Sequence, residues 1–540
     1  MARKIHSRIR IKGQLKVMRS LHVGGIHGDV SNVDLSLAVN GQGQVYIPGT
    51  SLAGAIRSYM TQVYDDHKSV QTGPTKMDGV WGYQEKDRGH ASFIVVEDAV
   101  VSLPSGEAAQ PRPMQPRDME IRDGVGINRH SGTAAENFKF NRAIIPRNAT
   151  LPLNLTLEVK DEDQQAELEA QLNNTLAALS QGLIRLGGAK SRGLGCIQLE
   201  PDCEGEVQLL SSRDGLLKLL QQKANDPNEQ ALPLWPGIPK EVANAPAQLK
   251  LTIEWEPVGP VMVKSEQSGV AVDILPLMSR FDAEHLGFVL PGSSIKGTLR
   301  SQAERILRTV LQQPLPADKK FADQVQQLPL ACHLFGTAAQ SEQSTDKRDN
   351  PDDPKLGASA LFIEDCFSQQ SYDSKKFAAL TTADKPEIRS ALDAVDAENI
   401  QQAYHVAIDR WTGGAADQFL YTAIEPFNIT WEPIEIGLRL DRLLKKEQEP
   451  AIALLLLLLR DFAHQRIPLG YGVNRGYGTV KLRQATIQLQ GLDKWPEHLQ
   501  PLNGVAITQA DLSELGELRQ TLSTAWGDWI VKHQVHQEAA

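Results

Sequence analysis

The sequence predicts a mixed α+β protein in which one domain is used twice. Three observations carry this. A twelve-residue stretch occurs in two versions, I-P-G-T-S-L-A-G-A-I-R-S at 47–58 and L-P-G-S-S-I-K-G-T-L-R-S at 290–301, identical at six positions. A run that alternates apolar and polar residues, the pattern of a half-buried strand, precedes each copy at 9–17 and 249–255. Further landmarks then follow each copy in the same order. Pairing them gives offsets of 243 for Pro48/Pro291, 254 for Gly82/Gly336, 267 for Asp98/Asp365, 281 for Arg129/Arg410 and 283 for Arg192/Arg475. The offset only grows, as insertions accumulate in the second half, and chance matches would not keep that order.

At 540 residues, two or three domains are expected. A composition 41% hydrophobic and 23% charged is that of a soluble globular chain. The net charge of -10 supplies no global basic field, so any nucleic-acid contact has to rest on local basic residues or on other subunits. Cys196, Cys203, Cys332 and Cys366 show no CxxC spacing, which argues against a zinc site or a disulfide framework. The start has no apolar signal-peptide core, and the greasiest run, 451–459, is too short to span a bilayer. The run reads as a buried helix, and a cytoplasmic location without membrane partners is expected.

Each Pro-Gly stretch reads as a strand, a turn and then a helix capped by hydroxyls, Thr50 and Ser51 in one copy and Ser293 and Ser294 in the other. Free N–H groups at such a helix start suit an anion, and a nucleic-acid phosphate is one candidate occupant. A capped helix with no ligand fits the same residues. The first helix would bury Leu52, Ile56, Tyr59 and Met60, and the second Ile295, Leu299, Ala303, Ile306 and Leu307. V-W-G at 80–82 and L-F-G at 334–336 come next, followed by strands at 91–99 and 357–366. A strand at 151–159 and a helix at 163–186 lead to G-G-A-K-S-R-G-L-G, and the aliphatic helix of the second half leads to G-Y-G-V-N-R-G-Y-G. Residues 203–247 shift in composition, with a short amphipathic helix and P-L-W-P-G-I-P, and read as a linker. The polar stretch 341–355 has almost nothing to bury. The expected division is a first domain at 1–202, the linker, a second domain at 248–484 and a helical extension at 485–540.

These landmarks resemble the RAMP superfamily of CRISPR systems. Both halves carry a Gly-bearing loop, an aspartate, the Pro-Gly-[ST]-S helix with its arginine, a W-G or F-G before a strand, and a terminal R-G-x-G. The resemblance implies two tandem ferredoxin-like (RRM-like) domains with thumb-like hairpin insertions, for which 120–146 and 402–424 are the candidates, plus a helical tail. It is nearest to the backbone subunits of type III effector complexes, which hold guide crRNA and cut the paired target RNA with a divalent metal, Mg2+ here. The other subunits of such a complex would be partners.

In that family a single aspartate upstream of the Pro-Gly turn does the cutting. The matching residues are Asp34 in V-D-L-S-L and Asp273 in V-D-I-L-P-L, with Asp29 a competitor for the first. Both also read as ordinary loop carboxylates capping a turn. A carboxylate can act as general base or bind a hard cation, and one carboxylate fixes no ligand set. His22 matches a family histidine near the guide, whereas the second half has Lys264 and Ser265 in that region. The resemblance makes RNA contacts of Gly49, Thr50, Ser51, Arg57, Arg129, Arg142, Lys190, Arg192, Ser293, Ser294, Lys296, Arg300, Arg410, Asn474 and Arg475. For Arg57 and Arg300 a surface salt bridge fits equally well. Tyr471 and Tyr477 suit either base stacking or packing. A non-catalytic RNA scaffold and a guide-processing endoribonuclease are the alternative functions.

Overall fold

The computed structural model describes residues 5–25, 33–64, 77–85, 87–104, 111–221, 232–236, 238–315, 319–337, 357–396, 398–508 and 510–538. Asp29 and the stretch 341–355 lie outside them. The chain forms two compact units. Unit 1 is Met1–Arg122, Arg142–Lys190 and Leu194–Ala245; unit 2 is Asp123–Asn141, Ser191–Gly193 and Pro246–Ala540.

Unit 1 is built on β1 (Ser7–Val17), α1 (Gly49–Tyr64) and β2 (Ile94–Val96). The hairpin strands β3 (Glu120–Ile127) and β4 (Ala134–Ile144) come next, and residues 123–141 of this ribbon belong to unit 2. Then follow β5 (Thr150–Val159), α2 (Glu162–Ser180), β6 (Ile197–Leu199) and β7 (Glu204–Leu209). The alternation in β1 buries Ile9, Ile11, Leu15 and Val17, and the antiparallel register pairs Ile9 with Leu157 and Leu15 with Leu151. β1 lies between β6 and β5, and β5 pairs β2 on its other side. Counting the four strands of the strand–helix–strand–strand–helix–strand core, the order is 4-1-3-2, the ferredoxin-like arrangement. α1 buries Leu52, Ile56, Tyr59 and Met60, as the spacing predicts.

Unit 2 repeats this with β8 (Gln248–Pro257), α3 (Gly292–Leu311), β9 (Leu361–Ile363), the hairpin β10 (Ile400–Ile408) and β11 (Ala415–Pro426), β12 (Ile434–Arg439), α4 (Lys445–Ala463) and β13 (Val480–Gln490). The sheet order β9-β12-β8-β13 is the same 2-3-1-4. α3 buries Ile295, Leu299, Ala303 and Leu307 and packs Ile306 at the edge of the core. The aliphatic run 451–459 is the buried part of α4.

The fourth strand differs between the units. β13 is continuous and pairs with β8 from Val480 to Gln490, absorbing one bulge between Glu254 and Trp255. In unit 1 the same strand is split: β6 pairs with residues 15–17 of β1 and β7 with residues 7–12. Pro201, which has no N–H to donate to a ladder, sits in the gap. The first sheet therefore runs on to Leu209, inside the stretch whose composition suggests a linker, and the second runs past 484 to Gln490. The amphipathic helix of that stretch is Arg213–Gln221. The C-terminal extension has no counterpart in the first repeat but belongs to unit 2. Its strand β14 (Ala506–Ile507) adds to the β13 edge, and its helix α5 (Glu517–Glu538) sends Leu518, Leu522 and Trp529 into the same core as α3 and α4.

Candidate functional site

The start of each Pro-Gly helix is closed by a carboxylate of its own unit. The Gly49 amide donates to Asp98 Oδ1 at 2.7 Å, and the Gly292 amide to Asp365 Oδ1 at 2.8 Å. Glycine is required because the strand end comes so close: a Cβ on Gly49 would lie 2.1 Å from the Val96 carbonyl oxygen, and one on Gly292 would lie 2.2 Å from that of Ile363. Helix α3 starts at Gly292 after Pro291 and carries no side-chain cap from that residue, so the hydroxyls fall inside the first turn. This corrects the capping expected of Thr50, Ser51, Ser293 and Ser294. It also removes Gly49 and Gly292 as phosphate donors, since an anion already sits on the amide. Thr50 and Ser293 remain exposed.

Four expected phosphate contacts are engaged inside the protein. Arg57 pairs with Asp78 at 2.6 Å, tying α1 to the segment before Gly82. Arg300 makes the matching tie with more bonds, to Glu304 at 2.7 Å and to the carbonyls of Gly336 and Val325 at 2.8 and 2.6 Å. Lys296 is buried, and its ammonium donates to Ser359 Oγ at 2.7 Å and to the carbonyls of Ser191 and Leu361, both at 3.1 Å. Burial, and then the charges of Arg192, Arg300 and Arg442, push its pKa well below the ordinary lysine range. Arg129, at the hairpin tip that belongs to unit 2, places Nε 2.7 Å from Glu304 Oε2 and donates Nη1 to Ile127 O. Each side chain is spent on holding its own unit together.

The aspartate loops, in contrast, correspond closely. In unit 1, Leu35 bridges Arg142 in parallel and its carbonyl accepts from Ala143 N at 2.9 Å. In unit 2, Ile274 bridges Ala423 in parallel and its carbonyl accepts from Ile424 N at 2.9 Å. Asp34 and Asp273 are each the residue just before that bridge, beside the strand end Arg142–Ile144 in unit 1 and Ala423–Glu425 in unit 2, and both are exposed. Asp273 Oδ2 accepts from Thr422 N at 2.7 Å and Oγ1 at 3.0 Å. The unequal distance to the Pro-Gly turn arises downstream of the aspartates. Leu37 and Pro276 hold matching bridges to Gly24 and Lys264, and the extra residues sit in the Met278–Arg280/His285–Leu290 hairpin.

His22 is buried, with Nδ1 2.8 Å from Ala143 O. A carbonyl can only accept, so Nδ1 carries the proton. Burial lowers the imidazole pKa, and the nearby Arg142 charge adds to this, against the bond to Ala143 that raises it. The Gly188 amide donates to His22 O at 2.8 Å; in unit 2 the Tyr471 amide donates to Met262 O at 2.7 Å. Met262, not Lys264 or Ser265, therefore stands at the place of His22.

The glycine-rich loops share one path. Gly187, Gly193 and Gly195 have φ of 79, 94 and 89°, and Gly470, Gly476 and Gly478 have 86, 89 and 82°. Arg192, Asn474 and Arg475 are exposed on the single helical turns of these loops. Lys190 donates to Arg185 O at 3.4 Å. Arg475 bonds the hydroxyls of Tyr421 and Tyr471 and lies 5.5 and 5.9 Å from their ring centroids.

Beside Met262 and Ile274, unit 2 also holds a network that the first repeat lacks. Tyr477 is buried and donates to Glu425; His405 Nε2 lies 2.8 Å from the Tyr477 hydroxyl and 3.1 Å from Glu425 Oε1, and its ring stacks on Tyr421 at 5.0 Å. Burial and then Glu425 raise the Tyr477 pKa. Packing is thus the role of Tyr477. The first repeat has Gly124, Phe140, Ile144 and Leu194 at these positions, so a comparison of shared residues passes over them.

A family model described as the RAMP superfamily matches residues 14–198 and 258–481. The chain belongs to the RAMP superfamily. The two matched regions coincide with the two ferredoxin-like cores, which makes it a double-RAMP protein of the CRISPR-associated, RNA-binding kind. No curated protein matches the chain. Among the described residues, no helix is long and apolar enough to cross a membrane. Among the same residues, no group of three or more His, Cys, Asp and Glu is placed to hold a metal. Asp34 and Asp273 each bring a single carboxylate to their own domain's loop, a donor set that suits a hard cation only if phosphate oxygens complete the shell.

Proposed function

We propose that the chain is a backbone subunit of a type III CRISPR ribonucleoprotein, holding guide crRNA and cleaving complementary target RNA once per RAMP domain. The observation that carries this reading is the correspondence of Asp34 and Asp273, both exposed and both one residue before a bridge to a hairpin base. Exposed carboxylates at matching places, beside ribbons able to distort a duplex, suit cleavage by the RNA's own ribose. The 2′-oxygen bonds to the adjacent phosphorus while the bond from phosphorus to the 5′-oxygen breaks. The carboxylate accepts the 2′ proton and water returns one to the leaving oxygen, giving a 2′,3′-cyclic phosphate and a 5′-hydroxyl. Alignment of the three atoms supplies most of the rate. Asp34 and Asp273 would each hold a separate Mg2+ ion, together with the RNA phosphates at its own site, and that ion would offset charge there. Thr422 holds Oδ2 of Asp273 through two bonds and so fixes the direction of the carboxylate. Arg192, Asn474 and Arg475 would grip the RNA backbone without reading sequence.

The test is cleavage of an end-labelled target RNA by the assembled complex. Asp34→Ala is expected to remove one set of cuts and Asp273→Ala the other, each slowing its own cut by about a hundredfold or more. Guide binding should persist in both. A double variant that still cuts at every position would make the chain an RNA scaffold whose cutting is done elsewhere.

A further inference from the structure

Arg57, Arg129 and Arg300 are each bonded to a carboxylate, which cancels their charge. Arg475, exposed on the second glycine-rich loop, is held by phenols instead. Its Nη1 donates to the Tyr421 hydroxyl and, at 3.2 Å, to that of Tyr471, and the two ring centroids lie 5.5 and 5.9 Å from the guanidinium carbon. A phenol orients a guanidinium and leaves its charge in place. Both hydrogens of Nη1 are used, while Nε and Nη2 have no partner among the described residues. That free edge of an arginine binds a phosphate through two parallel bonds.

The phenols are themselves fixed. His405 stacks on Tyr421, with centroids 5.0 Å apart and planes 17° apart, and its Nε2 lies 2.8 Å from the Tyr477 hydroxyl and 3.1 Å from Glu425 Oε1. Gln401 Nε2 donates to Glu425 Oε2 at 3.1 Å, and the Tyr477 ring packs 6.4 Å from that of Tyr471. Tyr421 and Thr422 are consecutive in β11, so their side chains leave on opposite faces, one toward Arg475 and the other toward Asp273. The first repeat has Phe140 and Gly188 at the positions of Tyr421 and Tyr471, so neither supplies a hydroxyl to Arg192.

We propose that Tyr421 and Tyr471 are positioning residues. They hold the Arg475 guanidinium so that Nε and Nη2 face one backbone phosphate of the guide RNA, and His405, Glu425 and Tyr477 keep Tyr421 in place. This role presupposes that the chain grips guide RNA through Arg475, as proposed for its function. The two domains then grip unequally. Arg475 meets its phosphate with the side chain already ordered, so little rotamer freedom is lost on binding, whereas Arg192 has no phenol pair to order it. A stacked nucleobase is the weaker match, because the Tyr421 ring already carries His405 and Arg475.

The test is a scan of guides that each carry one neutral methylphosphonate linkage, assembled into the full complex, with the rate of labelled-guide loss as the readout. In wild type one linkage should speed guide loss by about tenfold, as removal of a charge-assisted bond does. Arg475→Ala should speed loss of the unmodified guide and abolish the effect of that linkage. Tyr421→Phe with Tyr471→Phe keeps the rings and the cation but removes both hydroxyls. There the linkage effect should shrink to about threefold or less, while salt speeds guide loss as steeply as in wild type, because no charge has gone. A role in packing alone would leave the linkage effect whole. Tyr471→Phe by itself should fall between the two, and it decides the matter if the double variant unfolds at a lower temperature. A phenylalanine pair with the wild-type scan and an unaltered unfolding temperature overturns the positioning role and leaves the arginine's grip standing. A wild-type scan with no sensitive linkage, or one unchanged by Arg475→Ala, overturns both.

Discussion

The Gly292 amide donates to the Asp365 carboxylate at 2.8 Å, so the place at the helix start where a phosphate would lie already holds an anion. The Gly49–Asp98 bond at 2.7 Å does the same in the other unit. The most repeated motif of the sequence is therefore a folding element. It joins the first helix to the end of the second core strand, where Asp98 or Asp365 meets it.

Removing that acceptor should be felt as stability. Asp98→Ala or Asp365→Ala leaves a buried amide without its partner, a loss of about 1–3 kcal/mol. Asp→Asn keeps an oxygen acceptor and should cost less. Urea unfolding of the full chain measures both, and equal effects of Ala and Asn would show that the bond is not what holds the turn.

Thr422 gives a finer test of the second aspartate. Thr422→Val keeps the backbone bond to Asp273 but removes the hydroxyl that also holds Oδ2. The cut assigned to the second domain should slow by roughly tenfold, as misplaced groups do, with the Asp34 cut unchanged. Thr422→Ser should recover most of the rate. Loss of both cuts together would point to a folding defect instead.

The glycine-rich loops predict opposite outcomes for two neighbouring positions. Gly187 has φ of 79°, and a Cβ there would lie 2.1 Å from His22 O, so Gly187→Ala should destabilise by more than about 2 kcal/mol. Ala189 already sits at φ of 54°, where the second loop has Gly472 at 70°. Ala189→Gly relieves a left-handed alanine, partly offset by chain entropy, and should stabilise by a few tenths to about 1 kcal/mol. Thermal unfolding of the two variants should move in opposite directions.

The fold was legible because it is written twice. Periodicity marks β1, β8, α1 and α3, and the colinear landmarks fix their order, which is enough for a ferredoxin-like topology. The end of each core was not legible, because strand pairing is non-local: nothing in 204–209 announces that it continues the strand interrupted at Pro201. At the site, the correspondence of Asp34 with Asp273 was visible, but not the hold of Thr422, which is 149 residues away. Repetition also misled. Arg57, Arg300 and the Pro-Gly turns recur because both domains must fold, and a motif shared for folding looks the same in sequence as one shared for binding. His405, Glu425 and Tyr477 occur in one repeat alone, so the same comparison could not find them.

Lys296 separates the two kinds of motif most directly. It lies in the duplicated stretch, yet its ammonium is buried among oxygens, with no acid bonded to it among the described residues, beside Arg192, Arg300 and Arg442. Its folded pKa is lowered below the unfolded value of 10.5, first by burial and then by those arginines. Between the two values the unfolded chain holds the extra proton. The lysine's contribution to stability is therefore fully present above 10.5 and lost as pH falls through the folded value. Lys296→Met removes this linkage. Wild type should gain on the variant as pH is raised from neutrality toward 10, by no more than about 1.4 kcal/mol per pH unit. Urea unfolding at several pH values reads the difference, and parallel curves would mean that the ammonium keeps its proton throughout. RNA affinity of the assembled complex should be the same for Lys296→Met as for wild type, since no phosphate reaches a group enclosed this way.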